Sequence, residues 1–180
     1  MNLDFSQNHF ELFGLPVGFE VDAGALADSY RALQAQLHPD RFATADDKQR
    51  RLSVQGASWV NEAYQTLKDP MRRARYLLEL RGVTFNDESE TSSDPGFLME
   101  QMELREALGE VREAADPMAA LDEVGDRILA LDRALTDGFE QAYAGDDLMA
   151  AKDAVLKMKF FRRLREEVER LEAELEDELA

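Results

Sequence analysis

Apolar residues recur at helical spacing along most of the chain. Leu26, Tyr30, Leu33 and Leu37 stand three or four apart, and Leu52, Gly56, Trp59, Ala63 and Leu67 repeat the pattern further on. Each set makes one stripe down a helix, and the two stripes can face each other in an antiparallel pair. The spacing predicts helices from Asp22 to Leu37 and from Asp46 to Leu67, with shorter ones in "NHFELFG" and "MRRARYLLELRG". A proline turns the residue before it away from helical geometry and cannot donate a backbone hydrogen bond. His38-Pro39-Asp40 therefore ends the first long helix and occupies the exposed turn before the second.

The segment "NDESETSSDPG", residues 86–96, carries no helical or strand period and reads as linker. Beyond it, Asp94-Pro95 and Asp116-Pro117 each set a capping side chain before a proline at the first helical position, and Asp146 or Asp147 can cap the last long segment. Nothing alternates as a strand would. The predicted class is all-α, with an N-terminal domain over 1–82, a linker over 83–96 and a C-terminal three-helix bundle or elongated hairpin over 97–180. The run "EEVERLEAELEDELA" reads as a solvated acidic face on an amphipathic helix.

One helix shows two apolar faces. At about 100° per residue, Phe97, Leu104, Leu108 and Val111 share a sector and form the core stripe. Leu98, Met99 and Met102 fall on the other side, beside Glu103, Glu106 and Glu110. A second apolar patch calls for a partner, and methionine suits an adaptable one. The alternative is a central helix buried on both sides, against which the neighbouring carboxylates argue.

Composition narrows the function classes. With 180 residues and 44% hydrophobic content the chain can bury a sizeable core. The net charge of −17 is uneven: residues 83–180 hold 11 Lys+Arg against 27 Asp+Glu, and residues 1–82 hold 10 against 11. Such charge repels nucleic acid. The absence of cysteine excludes disulfides, thiolate metal sites and a cysteine nucleophile. No run is apolar enough to span a membrane, and the start "MNLDFSQNHFELF" lacks a basic leader, so the expected location is the cytoplasm. A glycine-rich phosphate loop is also missing. His38, one of two histidines, is open on residue type alone to three roles: a helix-ending turn, a recognition residue, or a general base or metal ligand. No pocket-forming or ligand cluster accompanies it, which weighs against a hydrolase or lyase built on His38 and Asp40.

The strings "HFELFGLP", "SYRALQAQLHPDRF" and "NEAYQTLKDPMRRARY", in that order, resemble the J-domain of DnaJ-type co-chaperones. The resemblance implies a helical hairpin with His-Pro-Asp at its tip, which binds a heat-shock chaperone and stimulates its ATP hydrolysis. The implied contacts are Tyr30, Arg31, His38, Pro39, Asp40 and Arg41. Gln34 and Gln36 depart from the pattern, standing where many relatives carry positive charge.

"RARYLLELRG" and then "FLMEQMELREALGE" resemble the HscB family, the J-proteins of iron–sulfur cluster assembly. This implies two partners, an HscA-type chaperone ATPase and an IscU-type scaffold protein. The implied scaffold contacts are Leu98, Met99, Met102, Glu103, Glu106, Glu110 and Phe160. For Phe160 the periodicity leaves core and contact roles open, since it lies at the edge of the apolar stripe. Some members carry a cysteine-based metal module, but a chain without cysteine inherits none, and no cofactor or catalysis of its own is expected. The alternative partner set is a DnaK-type chaperone and a different protein client.

Overall fold

Aspartate or asparagine caps the start of each of seven α-helices among the described residues. The structure is a computed structural model that describes residues 4–42, 46–86 and 90–179. The helices are α1 (His9–Phe13), α2 (Ala23–Leu37), α3 (Asp47–Lys68), α4 (Pro70–Leu80), α5 (Pro95–Glu110), α6 (Pro117–Ala144) and α7 (Leu148–Leu179). Their caps are Asn8, Asp22, Asp46, Asp69, Asp94, Asp116 and Asp147, each accepting a backbone N–H of the first turn. Proline follows at the first helical position of α4, α5 and α6. No strand occurs among the described residues, so the fold is all-α.

The chain divides into two compact units, Met1–Arg81 and Gly82–Ala180. Gly82, at φ 81°, supplies the left-handed residue that follows α4.

In the first unit α2 and α3 form the hairpin, with α1 and α4 packed on α3. The inward line of α3 is Ser53, Gly56, Val60, Ala63 and Leu67. Gly56, Ala63 and Leu67 of the predicted stripe face inward, but Leu52 is 45% exposed and Trp59 only half-buried, against Phe5 at 5.1 Å between ring centres. Ser53 faces inward and the larger Leu52 faces out, the reverse of what hydrophobicity alone suggests. The buried Ser53 hydroxyl donates to the Leu37 carbonyl at 3.5 Å, which lets a polar side chain sit there.

In the second unit α6 and α7 run antiparallel, joined by a turn in which Asp146 takes φ 62°, a conformation aspartate tolerates better than most residues. α5 lies on this hairpin to complete a three-helix bundle. Its core contains Phe97, Leu104, Leu108, Leu121, Ile128 and Phe161. Part of the predicted linker belongs to this unit. Glu90 pairs with Lys152 and Asp94 with Lys157, both on α7, and Ser92 is buried. Sequence period cannot register acids that find lysines some 60 positions away. Linker residues 87–89 lie outside the described residues.

Candidate functional site

Each unit presents one candidate surface. In the first, α2 ends at Leu37 because His38 turns extended, φ −56° and ψ 133°, as the residue before a proline must. A 3-10 turn follows over Pro39–Phe42. The turn is closed by its own backbone, with Arg41 N–H donating to the His38 carbonyl at 3.0 Å. The Asp40 amide donates to His38 Nδ1 at 3.3 Å, which in the neutral ring leaves the proton on Nε2. The Asp40 carboxylate stands 3.5 Å from the same nitrogen, and the two side chains are 91% and 60% exposed. The pair is therefore open to solvent on the surface of its unit. It suits contact with another molecule. The Pro39 side chain lies outside the described residues.

Along α2, Arg31 is exposed but pairs with Asp28 one turn earlier. Tyr30 is held against α3: its ring stacks on Tyr64 at 4.0 Å, and its hydroxyl donates to Asn61 at 3.2 Å and accepts from Gln34 at 2.6 Å. Gln34 therefore supports Tyr30 where a basic residue would add charge. Arg41 is exposed beyond Asp40.

On α5 the structure separates the two faces that the wheel distinguishes. Phe97, Leu104, Leu108 and Val111 are buried, while Leu98, Met99 and Met102 are 46%, 65% and 73% exposed. Glu103, Glu106 and Glu110 are exposed beside them, and Glu103 is tied to Arg127 of α6 at 2.7 Å. The Lys157 ammonium and the Phe97 amide hold the Asp94 carboxyl below its ordinary range, fixing the start of the helix. Phe160 is placed differently from these residues. It is 9% exposed, edge-on to Phe97 at 5.6 Å, and is part of the core.

Sequence reasoning passed over Arg105. Its guanidinium lies over the Phe160 ring, 5.4 Å from the centre. The only sequence signal was a cation at the i+7 position from Leu98, on the same helical face.

Three comparisons bear on the chain, the first of them on its second unit alone. The family model of the HSCB C-terminal oligomerisation domain matches residues 93–169. A co-chaperone protein HscB homolog of Vibrio cholerae serotype O1 is 49% identical over 168 residues, spanning 93% of this chain and 98% of the relative. Among solved structures, the chaperone HscB from Vibrio cholerae superposes with a TM-score of 0.87 at 48% identity, covering 94% of this chain and 99% of that one. The human co-chaperone HscB gives the same TM-score at 31% identity, covering 94% and 84%. With a J-type hairpin turn in one unit, a two-faced α5 in the other, and relatives of this identity along nearly its full length, the chain belongs to the HscB co-chaperone family.

Proposed function

We propose that this chain is a co-chaperone of iron–sulfur cluster assembly in the cytoplasm. It stimulates the ATPase of an HscA-type chaperone through Tyr30, Arg31, His38, Pro39, Asp40 and Arg41. On α5 it carries an IscU-type scaffold protein, docked on Leu98, Met99 and Met102 with Glu103, Glu106 and Glu110 along one edge. It works through binding and accelerates a reaction that the chaperone performs.

The observation that carries this reading is the exposure of three large apolar side chains on a helix whose opposite face is fully buried. Leaving them in water forfeits roughly 25 cal/mol per Å² of apolar surface, a cost relieved when a partner covers them. Phe160 enters as support beneath this surface, through its ring contact with Arg105.

Steady-state ATP hydrolysis by an HscA-type chaperone tests the reading. Adding this chain should raise the rate, and adding an IscU-type scaffold with it should raise it further. No stimulation would refute the chaperone role. Stimulation that the scaffold leaves unchanged would point to a different client and a DnaK-type chaperone.

A further inference from the structure

Arg105, Arg133 and Arg163 differ from the other arginines of the second unit in having no carboxylate partner among the described residues. Arg112, Arg127, Arg162, Arg165 and Arg170 are each paired to one. In a stretch where 27 acids outnumber 11 cations, an arginine without an acid is conspicuous. Two of the three line one pocket.

That pocket, about 300 Å³, lies between α5, α7 and the residues preceding α5. Gln101, Arg105, Lys159 and Arg163 furnish its polar wall, and Phe97 and Phe160 its apolar one. The one acid on its lining among the described residues, Glu90, is engaged by Lys152. Stacking on Phe160 holds the Arg105 guanidinium, so little freedom remains to be lost when it takes a ligand. Leu98, Gln101, Met102 and Arg105 follow the i, i+3, i+4, i+7 spacing, so the pocket adjoins the apolar strip. The opposite edge of the strip is Glu103, Glu106 and Glu110.

The geometry points to a carboxylate-accepting pocket in which Arg105 and Arg163 receive an aspartate or glutamate side chain of the scaffold protein docked on Leu98 and Met102. This rests on the scaffold-docking reading above and adds to it a second recognition element. An apolar strip bounded by acids on one side and arginines on the other admits its partner in one orientation, because the reversed complex sets like charges together. A guanidinium matches a carboxylate with two parallel hydrogen bonds, which fixes the partner's rotation as well as its side.

Calorimetry with an IscU-type scaffold, at fixed salt and with the full chain, tests this. Arg105→Glu and Arg163→Glu should each weaken scaffold binding by about tenfold. Arg133→Glu, an equal charge change elsewhere in the unit, should stay within about twofold. Lysine substituted for one acidic residue of the scaffold should restore affinity to Arg105→Glu while weakening binding to the unaltered chain. Arg163 makes no ring contact, so its variant reports on the pocket even if Arg105→Glu disturbs Phe160. Equal effects of all three reversals would overturn the proposal in favour of long-range charge. If Leu98→Ala with Met102→Ala lowers affinity but neither pocket reversal does, the pocket is refuted and the docking face stands. If that apolar pair also has no effect, both fall together.

Discussion

The two histidines occupy opposite surroundings. His38 is exposed at a turn, whereas the His9 ring stacks on Tyr76 at 4.2 Å and its Nδ1 is shut away without a hydrogen-bond partner. Burial pushes the His9 imidazole below its ordinary 6.5, against the pull of Glu62 and Glu79. The folded chain therefore binds this proton less readily than the unfolded one, and as pH falls through 6.5 the unfolded state takes it up first. Stability is unaffected by His9 above that pH, declines below it, and levels off under the folded value. Urea denaturation of His9→Phe across pH 5 to 8 should show this decline removed. It should also show no loss at pH 8, because the stack is kept and an orphaned polar atom is gone. An unchanged pH slope would exclude His9 as its source. His38 was legible because a proline interrupts an apolar stripe beside it. His9 was not, since its burial comes from Tyr76, 67 positions away, whose hydroxyl also accepts the His9 backbone N–H.

At the scale of the element, α5 was readable and α3 was not fully so. The stripe of α5 separates large apolar residues cleanly, and both faces meet the expected environment. On α3 a small-residue line faces inward and Leu52 is left in water, because close helix packing favours small side chains over hydrophobic ones at a crossing. The two faces of α5 predict different responses to truncation. Leu104→Ala should cost about 2–5 kcal/mol, whereas Leu98→Ala, Met99→Ala and Met102→Ala together should leave the thermal midpoint nearly unchanged. A large drop for the exposed trio would mean that it is packed in solution. The acidic end of α7 is amphipathic as expected, with Leu175 buried, and its exposed face is further tied by Arg112, which reaches Glu174 and Glu178 at 2.6 Å each. Arg112→Ala should speed amide hydrogen exchange in the last two turns of α7 and leave α6 protected. Equal exchange in both chains would show that the clasp holds nothing.

Across the whole molecule, charge is uneven: residues 83–180 hold 27 Asp+Glu against 11 Lys+Arg, and residues 1–82 hold 11 against 10. Fold class, the turn at His38 and the two faces of α5 were legible because they rest on local patterns of period, capping and proline. The basic pocket and the pairing of Glu90 with Lys152 and of Asp94 with Lys157 were not, because they join residues far apart in sequence. Separate surfaces on separate compact units predict separable functions. His38→Gln should abolish stimulation of an HscA-type ATPase and retain helicity, since His38 makes no core contact. Its scaffold affinity by calorimetry should match that of the unaltered chain. The Leu98, Met99 and Met102 triple substitution should do the reverse, losing most scaffold affinity while keeping the stimulation seen without scaffold. That residual stimulation should weaken as salt rises, because attractions among exposed charges such as Arg31 and Arg41 are screened over about 10 Å at 0.1 M. The Asp28 pairing already tempers Arg31, so Asp28→Asn should strengthen stimulation at low salt and lose that advantage at high salt. If either set of substitutions removed both activities in a chain that still folds, the assignment of one partner to each unit would fail.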